Sequence, residues 1–112
     1  MDPRYLPTLR NCNIKYRAAV HIFKQKKWEA ARKKYEEYLK INLLDWSAYA
    51  ELAMCYFKLA MEKHEKNDLE YKRYYRKSVS CIDKAVKHRP KNNRFAGWQK
   101  EIKSRKKILG AN

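Results

Sequence analysis

The sequence predicts an all-α fold of about five helices paired as hairpins, the second hairpin being extended. Apolar residues recur at helical spacing over most of the 112 residues, which is the signature of amphipathic helices. Only two glycines and three prolines are present, too few for a sheet protein with many turns. An internal repeat completes the argument: four residues of the first predicted helix recur 34 positions later, as Ala19/Ala53, Ile22/Tyr56, Phe23/Phe57 and Lys24/Lys58.

The first elements are an extended segment and a helical hairpin. Residues 1–11 are predicted to be extended because Pro3 and Pro7 disfavour helix before them. Packing along the first hairpin, occupation of a groove and a disordered tail all fit this segment. The first helix is expected to start at Asn11 or Asn13, either of which can cap it, and to end at Lys24. After a turn at 25–27, the second helix is expected over 28–42.

The next elements are a longer hairpin and a final helix. Asp45 is expected to cap a third helix over 46–66. Asn67 or Asp68 is expected to cap a fourth over 69–89, which Pro90 ends. A fifth helix is predicted over 94–109. Its apolar stripe is expected to cover the core while its other faces are basic.

The second halves of the two hairpins also match. Both have residues at steps of 4, 3 and 5, namely Ala31, Tyr35, Tyr38 and Leu43 in the first and Ser78, Ile82, Ala85 and Pro90 in the second. The offset of 47 instead of 34 places 13 extra residues near the tip of the second hairpin. The domain therefore divides into 12–45, 46–92 and 93–112.

This 34-residue helix-turn-helix period resembles the tetratricopeptide repeat (TPR) family over residues 12–92. The strings FKQKKWEAA and SAYAELAMCYFKL carry the resemblance. Lys15 departs from it where an aromatic residue is usual, as do Ala19 and Ala53 where glycine is common, and Ser78 stands in for alanine. The last helix is similar to the extra helix that ends such arrays.

The resemblance implies a concave groove that holds a partner's peptide or helix. Carried over by position, the groove is lined by Asn13, Tyr16, Val20, Phe23, Lys24, Ser47, Ala50, Met54, Phe57, Lys58 and Arg94. An apolar middle with basic edges suits an acidic or amphipathic segment. Ordinary packing between helices is the alternative for Val20, Phe23 and Phe57. The residues that clamp a C-terminal carboxylate in one subset of the family are absent.

The net charge of +16 is concentrated at one end, because residues 72–112 carry +12. Such an excess favours an acidic protein segment, nucleic acid or anionic lipid, although a solvated lysine-rich surface is the alternative. The predicted basic surface comprises Lys72, Arg73, Arg76, Lys77, Lys100, Lys103, Arg105, Lys106 and Lys107. Tyr71, Tyr74 and Tyr75 lie among these cations and are expected either to stack on bases or to form a packing stripe.

Catalysis finds no support, since the three histidines are isolated and no nucleophile motif or Gly-rich loop is present. Neither a cofactor, a metal nor a small-molecule substrate is expected. Cys12, Cys55 and Cys81 are odd in number and widely spaced, which favours a reducing intracellular compartment, cytoplasmic or nuclear. No apolar run approaches the ~20 residues that span a bilayer, and the N-terminus lacks an apolar signal segment.

These observations predict a non-catalytic adaptor that binds an acidic or amphipathic segment of another protein. One alternative is a small basic protein that binds RNA or DNA through its C-terminal surface. Another is a subunit of a larger protein or ribonucleoprotein assembly. Two repeats are fewer than the roughly three that isolated arrays need, so binding to a partner or self-association is expected to supply stability.

Overall fold

The computed structural model describes the backbone of residues 5–110 and the side chains of residues 14–110. Every regular element in this part of the chain is a helix, which confirms the predicted all-α class with about five helices. The helices are α1 (Tyr5–Lys24), α2 (Trp28–Ile41), α3 (Trp46–Glu65), α4 (Tyr71–His88), α5 (Asn93–Lys103) and α6 (Lys106–Leu109). Within residues 5–110, none of them combines the length and apolar character needed to cross a membrane.

Helix α1 begins at Tyr5, earlier than the predicted start at Asn11 or Asn13. The extended conformation predicted for residues 5–11 is therefore replaced by helix, while residues 1–4 lie outside the described residues. Pro7 is the third residue of α1. The first N–H groups of a helix have no partner within the helix, so a proline in this turn removes no hydrogen bond. The proline signal thus marks the beginning of a helix here and not an extended chain.

The first inter-repeat turn follows the sequence closely. Helix α2 ends at Ile41, next to the expected Asn42. The Asp45 carboxylate then accepts a hydrogen bond of 3.0 Å from the backbone N–H of Ala48, and so caps α3 as predicted.

The second hairpin turn differs from its predicted form. Asn67 takes a left-handed backbone conformation with φ of 59°, which asparagine tolerates better than most residues. Asp68 accepts a hydrogen bond of 3.0 Å from the N–H of Glu70, and its carboxylate lies 3.3 Å from Nζ of Lys63. Helix α4 consequently begins at Tyr71, later than expected, and Asp68 stabilises the turn from outside the helix.

Small residues lie where the helices of each hairpin approach one another. Ala19 and Ala31 in the first hairpin, and Ala53 and Ser78 in the second, are fully buried. The hydroxyl of Ser78 donates a hydrogen bond of 2.7 Å to the backbone carbonyl of Ala53. This bond satisfies a polar group in the core and joins α3 to α4.

The predicted fifth helix is divided into α5 and α6 by a turn at Ser104 and Arg105. Lys58 is the counterpart of Lys24, the residue at which α1 ends. Helix α3 continues for seven residues beyond Lys58, about two turns. The short α6 packs on this extension, where Leu109 is buried with 2% of its surface exposed. A straight helix would continue past the extension, so the turn lets the chain cover apolar surface that the longer hairpin exposes.

Candidate functional site

Three residues of the predicted groove lie in the core. Ala50, Met54 and Phe57 of α3 are 0%, 6% and 1% exposed, respectively. They offer almost no surface to a partner in this arrangement. The side chain of Asn13, also predicted to line the groove, lies outside the described residues.

Aromatic rings of α1 and α5 meet beside α3. The rings of Phe23 and Trp98 lie 6.3 Å apart between centroids, and the rings of Phe23 and Trp28 lie edge to face with their centroids 5.5 Å apart. Phe23 and Trp98 are each half-buried against the core. These two side chains therefore connect α1 to α5 within the predicted groove.

A cleft of about 270 Å³ lies along α1. Its lining consists of Tyr16, Arg17, Val20, His21 and Lys24. Three of these were predicted, whereas Arg17 and His21 were not, because they lie one residue beyond the positions that the family resemblance supplies. We call this feature the α1 cleft. Its lining combines the apolar surface of Tyr16 and Val20 with the cations Arg17 and Lys24, and contains no carboxylate.

The remaining predicted residues are separated. Ser47 lines a different, polar cleft with Asp45, Arg89 and Asn92. The ammonium group of Lys58 lies 5.9 Å from the centroid of the Phe57 ring. Arg94 is exposed, with its guanidinium 5.0 Å from the Trp98 ring centroid.

A buried carboxylate, Glu51, connects α1, α2, α3 and α5. Its side chain is 7% exposed. Oε1 accepts a hydrogen bond of 2.7 Å from the Tyr16 hydroxyl, and Oε2 accepts one from the Tyr35 hydroxyl. The guanidinium of Arg94 lies 3.8 Å from Oε1. The carboxylate thus has two neutral donors and one cation around it.

Burial raises the pKa of Glu51 above its ordinary value, although the two tyrosine hydroxyls and Arg94 oppose this change. The pKa values of Tyr16 and Tyr35 are also raised, first by burial and then by the hydrogen bonds to Glu51. A perturbed carboxyl group can mark a catalytic centre or a structural network. Both oxygens of Glu51 already bind tyrosines of the same domain, which accounts for a role in joining helices.

Glu51 was not among the residues predicted from the sequence to have a functional or structural role. One signal was available: it is the only charged residue between Trp46 and Phe57, in a helix that is otherwise apolar or small over this stretch. Such a residue is buried only with partners. Those partners come from other helices, and the sequence alone does not indicate which residues they are.

The predicted basic surface is largely accessible. Lys72 is half-buried and the other eight residues are exposed. Few of these cations are paired: Lys103 lies 3.1 Å from Asp83, and Arg73 lies 3.7 Å from Glu70.

The three tyrosines among these cations take packing positions. Tyr74 and Tyr75 are 8% and 3% exposed, and the hydroxyl of Tyr75 donates a hydrogen bond of 2.7 Å to the carbonyl of Ile102. Tyr71 is half-buried with its ring edge to face against His64, at 4.9 Å. Tyr74 and Tyr75 therefore expose too little of their rings for a base to stack on.

Among the described side chains, no three His, Cys, Asp or Glu residues converge as metal ligands. Comparisons with protein-family models, with curated proteins and with solved structures give no match to this chain. The resemblance to the TPR family accordingly stays a prediction from the residues that carry it.

Proposed function

We propose that this chain is a non-catalytic, TPR-like adaptor inside the cell, and that the α1 cleft binds an acidic or amphipathic segment of a partner protein. The observation that carries the proposal is the composition of the cleft. Val20 and Tyr16 supply apolar surface, Arg17 and Lys24 supply positive charge, and no acidic residue lines the cleft. An occupant with an apolar anchor and acidic neighbours complements each of these features.

The cations beside this cleft are available for a partner. Arg17 and Lys24 are exposed and form no ion pair among the described residues. Exposed cations of this kind chiefly speed the encounter with an acidic partner, whereas the buried anchor supplies most of the affinity. We therefore expect moderate affinity that weakens with salt.

Nucleic-acid binding through the basic surface has less support. Single-stranded nucleic acids are held by cations together with aromatic rings on which bases stack. The cations are present, but Tyr74 and Tyr75 are buried. Phosphate attraction alone would leave only weak binding without sequence preference.

The experiment is a selection of peptides from a random library on the immobilised full chain. We expect enrichment of peptides that place a large apolar residue beside Asp or Glu. Each enriched peptide is then measured by fluorescence anisotropy against the variant Arg17→Glu with Lys24→Glu. Reversing both charges replaces attraction to the acidic residues with repulsion. Affinity should therefore fall at least about tenfold, which corresponds to about 1.4 kcal/mol.

The matched control is Lys33→Glu with Lys87→Glu, which makes the same change in net charge at exposed positions away from the cleft. This control should keep most of the affinity. Equal losses in both variants would mean that only overall charge matters. Enrichment of peptides without acidic residues would also overturn the proposal.

A further inference from the structure

A second cleft, of about 340 Å³, lies between α4 and the turn that joins α5 to α6. Its lining consists of Tyr75, Arg76, Val79, Lys103, Lys106 and Gly110. We call it the α4–α6 cleft. It shares no residue with the α1 cleft, so the two can be tested separately.

The walls of this cleft are held by the surrounding core. The Tyr75 ring is buried, and its hydroxyl is bonded to the carbonyl of Ile102 at the end of α5. Gly110 approaches the same ring closely, because a Cβ atom at this position would lie 2.6 Å from the ring edge. The turn between α5 and α6 brings Lys103 and Lys106 to the rim beside Arg76.

Three cations therefore line one opening, Arg76 from α4 and Lys103 and Lys106 from either side of the turn between α5 and α6. Arg76 and Lys106 form no ion pair in the part of the chain that the structure describes, whereas Lys103 lies 3.1 Å from Asp83. No carboxylate lines the cleft itself. Three cations and one nearby anion leave an excess of positive charge at the rim.

The floor of the cleft is apolar, formed mainly by the half-buried Val79 together with the small exposed part of the Tyr75 ring. Its volume is near the lower end of the roughly 300–1,000 Å³ of small-molecule sites. The occupant must then be small, with an apolar body that displaces water from the floor and an anionic group that reaches the cations at the rim. Inorganic phosphate has no apolar body to fill the floor, and the phosphate backbone of nucleic acid has none either.

We propose that the α4–α6 cleft binds a small amphiphilic anion, in which a short acyl, alkyl or aryl group carries a carboxylate or a phosphate. The apolar group lies against Tyr75 and Val79. The anionic group lies between Arg76 and Lys106, with Lys103 shared between the ligand and Asp83.

The test is isothermal titration of the full chain with octyl phosphate and with octanoate, both below their micellar concentrations. Inorganic phosphate and octanol provide the two halves of the ligand separately. We expect one molecule of octyl phosphate or of octanoate to bind per chain. Inorganic phosphate and octanol should each bind at least tenfold more weakly than octyl phosphate. The stronger of the two amphiphiles identifies the preferred anionic group. If inorganic phosphate binds as tightly as octyl phosphate, the apolar floor contributes nothing and the proposal is overturned.

Two variants in the cleft and one control variant locate the ligand. Arg76→Gln with Lys106→Gln should weaken octyl phosphate binding at least tenfold, while Lys100→Gln with Lys107→Gln should leave it within twofold. The control residues are exposed and lie outside the cleft lining, and their substitution removes the same number of positive charges. Val79→Trp should abolish binding without any change in charge, because the larger ring fills the cleft. Circular dichroism confirms that each variant is folded, and equal binding by the cleft and control variants would refute the site.

Discussion

The Tyr16 hydroxyl donates a hydrogen bond of 2.7 Å to Oε1 of Glu51, and this contact joins α1 to α3. Glu51 also accepts a hydrogen bond from Tyr35 of α2 and lies 3.8 Å from Arg94 of α5. A single buried carboxylate is thus shared by four helices. Removing one member of such a network leaves another polar group buried without its partner, which costs more than the average hydrogen bond contributes.

The ionisation of Glu51 should make stability depend on pH. Burial raises the pKa of Glu51 in the folded protein above the ordinary value of 4.5. Its contribution to the free energy of unfolding is therefore fully present below pH 4.5 and is lost as pH rises through the raised pKa. Glu51→Gln removes this titration. We expect the free energy of unfolding of the natural protein, relative to Glu51→Gln, to decrease from pH 4 to pH 7.

Urea unfolding at a series of pH values, followed by circular dichroism, measures this difference. Other titrating groups act in both proteins, so their effects largely cancel in the comparison. A difference that stays constant, or that increases with pH, would contradict the assignment of a raised pKa to Glu51.

Tyr35→Phe should destabilise the fold. The Tyr35 side chain is fully buried and its hydroxyl binds Glu51, so the variant leaves Oε2 of the carboxylate without this donor. We expect a loss of about 1 to 3 kcal/mol in the free energy of unfolding. Tyr71→Phe is the matched control, because the Tyr71 hydroxyl has no hydrogen-bond partner among the described residues. Equal changes in the two variants, measured by urea unfolding, would show that the bond to Glu51 adds nothing.

Local patterns predicted much of the helical fold. The first three positions of the 4, 3 and 5 pattern are buried in both hairpins, as in Tyr35 and Ile82, whereas its last members, Leu43 and Pro90, lie beyond the helix ends and are exposed. The Asp45 cap was also predictable, since capping depends on a few neighbouring residues. Such features are encoded within one or two turns of the chain.

Long-range contacts explain what the sequence did not predict. The turn at Ser104 depends on the apolar surface of the α3 extension, which α6 covers. The burial of Ala50, Met54 and Phe57 depends on how closely neighbouring helices approach α3. The partners of Glu51 come from three other helices. In each case the conformation or burial of a residue is determined by residues that are distant from it in the sequence.

The contribution of α6 to the free energy of unfolding can be measured by substituting two adjacent residues of this helix. Leu109 is 2% exposed, whereas Ile108 is 49% exposed. We expect Leu109→Ala to lower the free energy of unfolding by about 2 kcal/mol or more, as is typical of a buried leucine. Ile108→Ala should change it by less than about 0.5 kcal/mol. Similar small effects for both variants in urea unfolding would mean that α6 does not stabilise the core.

The cysteines provide a chemical test of burial. The pKa of the Cys81 thiol is raised by burial to about 11, and burial also raises the pKa of the fully buried Cys55. Since the thiolate is the reactive form, only about one thousandth of Cys81 is ionised at pH 8. We expect Cys55 and Cys81 to react with iodoacetamide much more slowly in the folded protein than in urea. Peptide mass spectrometry measures the alkylation of each cysteine separately. Rapid alkylation of Cys55 without denaturant would contradict the burial of this residue in α3.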